Sequence, residues 1–170
     1  MSRYSSRGLV ALGAAGVLVA GCASLNPFRD ADPRWADYKG WTKVSDTPST
    51  GPSLGLGEVH KGPDGYRLVY VNDVGRDVIT GDGPYEYPEG TVVVKEQYGD
   101  EAAFLSGEGA EVTVSLKVAD VEGGGKDNWQ WADSYKSSAG DSAFCSGCHS
   151  IPFAEDFVFS NVTYLTEQER

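Results

Sequence analysis

The sequence predicts a mainly β protein: an antiparallel β-sheet domain with a few short helices. Three observations predict it. Runs rich in β-branched and aromatic residues recur along the chain, turn-forming clusters separate them, and helical spacing of apolar residues is sparse.

The elements follow in order. Residues 54–61 are a weak strand candidate, ending at the turn Gly62-Pro63-Asp64-Gly65. Tyr66-Arg67-Leu68-Val69-Tyr70-Val71-Asn72 is a strong strand. Residues 73–80 read as a short helix. Thr91-Val92-Val93-Val94-Lys95-Glu96-Gln97-Tyr98 follows the turn Pro88-Glu89-Gly90, and residues 102–105 read as a single helical turn. In Glu111-Val112-Thr113-Val114-Ser115-Leu116-Lys117-Val118, apolar and polar residues alternate, the pattern of a half-buried antiparallel strand with Lys117 on its solvated face. Gly123-Gly124-Gly125 is a turn, after which Asn128-Trp129-Gln130-Trp131 begins another strand.

The N-terminal residues stand apart from this domain. Arg3 and Arg7 precede an apolar run over 8–20, which has the length and flanks of a secretory signal and is short for a bilayer span of roughly 20 residues. The run ends in Val19-Ala20-Gly21-Cys22, which resembles the bacterial lipobox. The expectation is a signal peptide over 1–21, a lipidated tether over 22–37 beginning at Cys22, and a domain over 38–170. Ala23 replaces the aspartate that favours inner-membrane retention, so the expected location is the outer membrane, facing the periplasm.

Charge excludes one class of partner. The chain carries 14 basic and 25 acidic residues, and 12 against 25 without Arg3 and Arg7. Nucleic-acid binding depends on basic patches, so it is not expected. An acidic surface suits a basic soluble electron carrier, and equally suits solvation alone.

The chemistry lies in Cys145-Ser146-Gly147-Cys148-His149. Cys-x-x-Cys-His is the attachment pattern of a c-type haem. Two thiols three positions apart project from about one helical turn, in reach of the two vinyl groups of one porphyrin, and the next residue offers an imidazole to the iron. Residues 142–149 are therefore expected to form a C-terminal haem-attachment helix carrying one covalent haem c. Other uses of the motif are weaker. A zinc site needs further ligands, a disulfide here closes a very small loop, and a thioredoxin-like pair needs an α/β context.

The other axial position is constrained by scarcity. Met1 is the only methionine and would leave with the signal, so methionine ligation is excluded for the mature chain. His60 is the only histidine besides His149. Either His60 is the sixth ligand, giving a low-spin electron-transfer cytochrome, or the sixth site is open to small molecules.

A β-rich domain with a C-terminal Cys-x-x-Cys-His resembles the cytochrome P460 family, which includes the β-type cytochromes c′. The resemblance spans residues 38–161. It rests on Tyr66 to Asn72, on Tyr87-Pro88-Glu89-Gly90-Thr91-Val92-Val93-Val94-Lys95-Glu96, on Asn128-Trp129-Gln130-Trp131, on the haem motif and on Asp156-Phe157-Val158-Phe159. It implies a five-coordinate haem with His149 as proximal ligand. It also implies one of two activities: hydroxylamine oxidation, in members with a lysine bonded to the porphyrin and a nearby proton-handling carboxylate, or nitric oxide binding under phenylalanines, in members without that bond. Relatives are often dimers, so a homodimer is an expectation too. Lys61, Lys95 and Lys117 are the strand lysines, and Lys95, after three valines, is the better cross-link candidate. Glu96 is the candidate carboxylate: on an inward face its pKa would be raised, suiting proton transfer beside the haem. Phe144, Phe153, Phe157 and Phe159 are candidate core and haem-packing residues.

Overall fold

The computed structural model describes residues 30–44, 66–150 and 155–158. Its frame is a five-stranded antiparallel sheet in sequential order, β1 (Thr42–Lys43), β2 (Tyr66–Val71), β3 (Val92–Tyr98), β4 (Glu111–Lys117) and β5 (Trp129–Ala132). Three short helices accompany it: α1 (Arg76–Ile79), α2 (Glu101–Ser106) and α3 (Ala143–His149). The mainly β expectation holds, and β2 to β5 fall on the runs that predicted them. β1 was not expected, and the 54–61 strand candidate lies outside the described residues.

The helix ends follow local chemistry. The Asp100 side chain caps α2 by accepting from the Ala103 amide at 2.8 Å, and Gly107 closes it in a left-handed conformation at φ +70°. The Ser142 hydroxyl caps α3 by accepting from the Cys145 amide at 3.1 Å.

Register decides which side chains share a face, because neighbours along a strand alternate and cross-strand partners do not. Val94 pairs with Tyr70 and Val114, and Glu96 with Leu68 and Val112. With Ala132 opposite Val114, these residues make one face, packed under Trp35 and Tyr38 of the N-terminal segment with Phe104 of α2 and Tyr135 against them. Lys95 pairs with Val69 and Thr113, Val93 with Val71 and Ser115, and Ser115 with Trp131. These make the second face, packed by Ile79 and Tyr87, by Cys145 of α3, and by Phe157 and Val158.

Both faces are thus covered, which corrects the half-buried reading of β4. Lys117 is not solvated: its side chain is 4% exposed. The alternation is real, but α3 and the turn at 155–158 cover the polar side. Trp35 and Trp129, one on each face, are fully buried. Burial of an apolar side chain is worth roughly 1.5–3 kcal/mol, so each face holds a core of its own.

Candidate haem-binding site

The second face gathers the motif. Cys145 and Cys148 are both free thiols, partly buried, three positions apart on α3. His149 ends the helix. Its Nδ1 lies 2.7 Å from the carbonyl oxygen of Phe157. A carbonyl can only accept, so Nδ1 carries the proton and the lone pair sits on Nε2, the form that ligates a metal. Burial lowers the His149 pKa to about 4, the Phe157 carbonyl opposes this, and the positive charge of Lys95 adds to the lowering. The imidazole is therefore neutral at physiological pH. The Trp131 ring lies 6.2 Å from it, tilted by 56°.

The carbonyl that holds His149 belongs to an unusual turn. Asp156 and Phe157 have φ of +45° and +64°, in the left-handed region that non-glycine residues seldom occupy. Such residues cost about 1–3 kcal/mol each and persist only where the surroundings fix them. Asp156 supplies the fixing. Its Oδ2 accepts from the Tyr87 amide at 2.9 Å and from Lys117 Nζ at 2.6 Å, and its Oδ1 accepts from Trp129 Nε1 at 3.2 Å. Lys117 also lies 5.4 Å from the centre of the Trp129 ring.

Lys95 is on this face, within electrostatic reach of Cys145 and His149. Burial, then the neighbouring Arg67 guanidinium, lower its pKa to about 7, with the Cys145 sulfur acting in the opposite sense. An amine so placed is part neutral at neutral pH, hence nucleophilic.

Glu96 is elsewhere. It lies on the first face, fully buried, where Tyr38 Oη donates to Oε1 at 2.6 Å and Tyr98 and Tyr70 donate to Oε2 at 3.0 and 3.4 Å. The Lys39 ammonium pairs with Oε1. Burial alone would raise its pKa, but Lys39, Tyr38 and Tyr98 together lower it below the ordinary 4.5. The expectation of a raised pKa beside the haem motif is corrected on both counts. The cause is parity: Glu96 and Lys95 are adjacent in β3, so they point to opposite faces.

Cys22, His60, Lys61, Phe153 and Phe159 lie outside the described residues. Phe157 packs on the second face and Phe144 is 64% exposed. Among the described residues no helix is long and apolar enough to cross a membrane. The sequence assigned no role of their own to Asp156 and Trp131, whose contacts reach residues distant along the chain, nor to Gln97.

The donor set suits a haem. Two free thiols and a neutral imidazole follow one another on a single helix. Gln97 Oε1 and Trp131 Nε1, at second-face positions, are buried without a hydrogen-bond partner among the described residues, and Thr91 Oγ1 is a third such atom. An unmade buried hydrogen bond costs roughly 1–3 kcal/mol, so the unsatisfied Nε1 of Trp131, whose ring lies beside His149, accords with a further group bound there. The class is that of a c-type cytochrome built on an antiparallel sheet.

The family comparison is more specific. The family model described as Cytochrome P460 matches residues 35–160, nearly the span of the expected resemblance. The chain belongs to the cytochrome P460 family and is a c-type cytochrome of the P460 type. No curated protein matches the chain.

Proposed function

We propose that this chain is an exported, lipid-anchored cytochrome that holds one haem covalently through Cys145 and Cys148, with His149 as proximal iron ligand, and that it acts on small nitrogen species. The observation that carries the reading is the neutral His149 imidazole, fixed at Nδ1 by the Phe157 carbonyl directly after two free thiols on α3. A haem so held supplies an iron centre for hydroxylamine oxidation or nitric oxide capture. Ser142 starts the helix that presents the thiols, Phe157 fixes the imidazole tautomer, and Trp131 packs beside its ring.

Lys95 favours the hydroxylamine branch. It shares the face of Cys145 and His149, and its amine, lowered to about 7, is suited to the lysine–porphyrin bond of the P460 enzymes. Cys22 is the proposed site of the lipid that holds the protein at the periplasmic side of the outer membrane. The excess of acidic residues suits a basic soluble carrier as electron acceptor.

An absorption spectrum of the reduced protein tests the reading. A ferrous Soret band shifted far to the red, lost in Lys95→Arg, is expected for the cross-linked enzyme. An ordinary high-spin ferrous haem c that binds nitric oxide without turnover would sustain the binding branch alone. Sharp low-spin bands in the resting reduced protein would contradict an open sixth site and favour electron transfer with His149 and His60 as ligands.

A further inference from the structure

We propose that Asp156 is a positioning residue for the axial imidazole, acting through the backbone of the turn at 155–158. The proposal rests on the reading of His149 as iron ligand.

Phe157 contributes its carbonyl, not its side chain, to His149 Nδ1. Where that oxygen sits depends on the backbone of Asp156 and Phe157, both in the left-handed region. Among the described residues, apart from the Glu155–Val158 bridge that closes the turn on itself, the bonds that anchor it to the sheet come from the Asp156 carboxylate. They reach three separate places: the Tyr87 amide ahead of β3, Lys117 at the end of β4 and Trp129 at the start of β5. One carboxylate thus ties the turn rigidly to the sheet on which Cys145 also packs. Lys117, 4% exposed, has Asp156 at 2.6 Å and Asp120 only at 3.8 Å, so the strong ionic contact runs to the turn.

The consequence is electronic. A carbonyl held firmly against Nδ1–H draws on that proton and makes the imidazole a stronger donor at Nε2. A looser turn weakens this pull. With haem bound, the bond from His149 to the iron would then soften, and the ferric state would lose stabilisation relative to the ferrous one.

Asp156→Asn tests this in the purified holoprotein. Asn has one accepting oxygen where Asp has two, and its NH2 accepts nothing. Whichever way the amide turns, either the Tyr87 and Lys117 bonds or the Trp129 bond is lost, and the ionic contact with Lys117 is weakened, while side-chain size is kept. The expected result is a downward shift of the ferrous iron–histidine stretching band in resonance Raman, together with a rise in reduction potential. Loss of a negative charge alone would raise the potential and leave that band in place, so an unmoved band overturns the proposal. Trp129→Phe removes a single donor to Asp156. It should give a smaller shift in the same direction, and it serves if Asp156→Asn fails to fold; an unmoved band there also counts against the proposal. The wild-type spectrum separates the two levels of inference. An iron–histidine band that His149→Ala abolishes establishes the ligand independently of Asp156. A wild-type band that survives His149→Ala overturns the ligand reading and this proposal with it.

Discussion

The two faces of the sheet each bury ionisable groups, yet they treat them differently. On the first face, Glu96 is met by three tyrosine hydroxyls and Lys39, and its charge is fully compensated. On the second, Lys95 is held beside Arg67 with its pKa lowered to about 7, His149 is kept neutral, and Gln97 Oε1 and Trp131 Nε1 have no partner among the described residues. A closed polar network rigidifies a fold, whereas one with unmade bonds marks where something else belongs. A buried carboxylate is therefore not by itself evidence of an active site; the company it keeps decides. On the proposed function, the first face is the structural side of the molecule and the second is the chemical side.

The sharpest way to break this contrast is to remove the imidazole. His149→Ala should abolish the iron–histidine band altogether, measured by resonance Raman on the ferrous protein, with the fold retained by far-ultraviolet circular dichroism. Next in size is Glu96→Gln. Hydrogen bonds to a charged group are worth about 1.5–3 kcal/mol, and denaturant unfolding should show a loss of that order. The haem spectrum and hydroxylamine turnover should stay as in the wild type. A changed spectrum would bring Glu96 back to the haem side and contradict the division of the faces.

The strands were legible because alternation and β-branched runs are local signals, and so was the helix carrying the motif, from Cys145 to His149. β1 was not, since two residues leave no pattern. That Glu96 shares a face with Val92, Val94 and Tyr98 was also legible from period two. Which face the motif would cover was not, because that depends on where α3 returns to the sheet. The Asp156 contacts span 69, 39 and 27 positions, and the Tyr38–Glu96 bond spans 58. No periodicity reports bonds of that range. Lys117 was misread for a related reason: alternation says which face a residue takes, and not whether another segment covers that face.

The first face should also make stability depend on pH. The folded Glu96 carboxyl titrates below its ordinary 4.5, so its contribution is complete above that value and is lost as pH falls through the folded pKa. Burial, together with the Glu96 charge, raises Tyr70 and Tyr98 from 10.0 to about 12. Their contribution is complete below pH 10 and is lost as pH rises towards 12. Unfolding midpoints should therefore fall at both extremes, and Glu96→Gln should flatten the acid limb. The smallest effect is expected at the helix cap. Ser142→Ala removes the acceptor of the Cys145 amide and should cost about 1 kcal/mol in denaturant unfolding, leaving the first face untouched.

The mass of the denatured wild-type holoprotein tests the covalent haem most directly. One haem should remain on the chain after acid and organic solvent, and should be lost when Cys145 and Cys148 are both replaced by serine. A wild-type chain that emerges bare would contradict the assignment of the second face as the seat of a covalent haem.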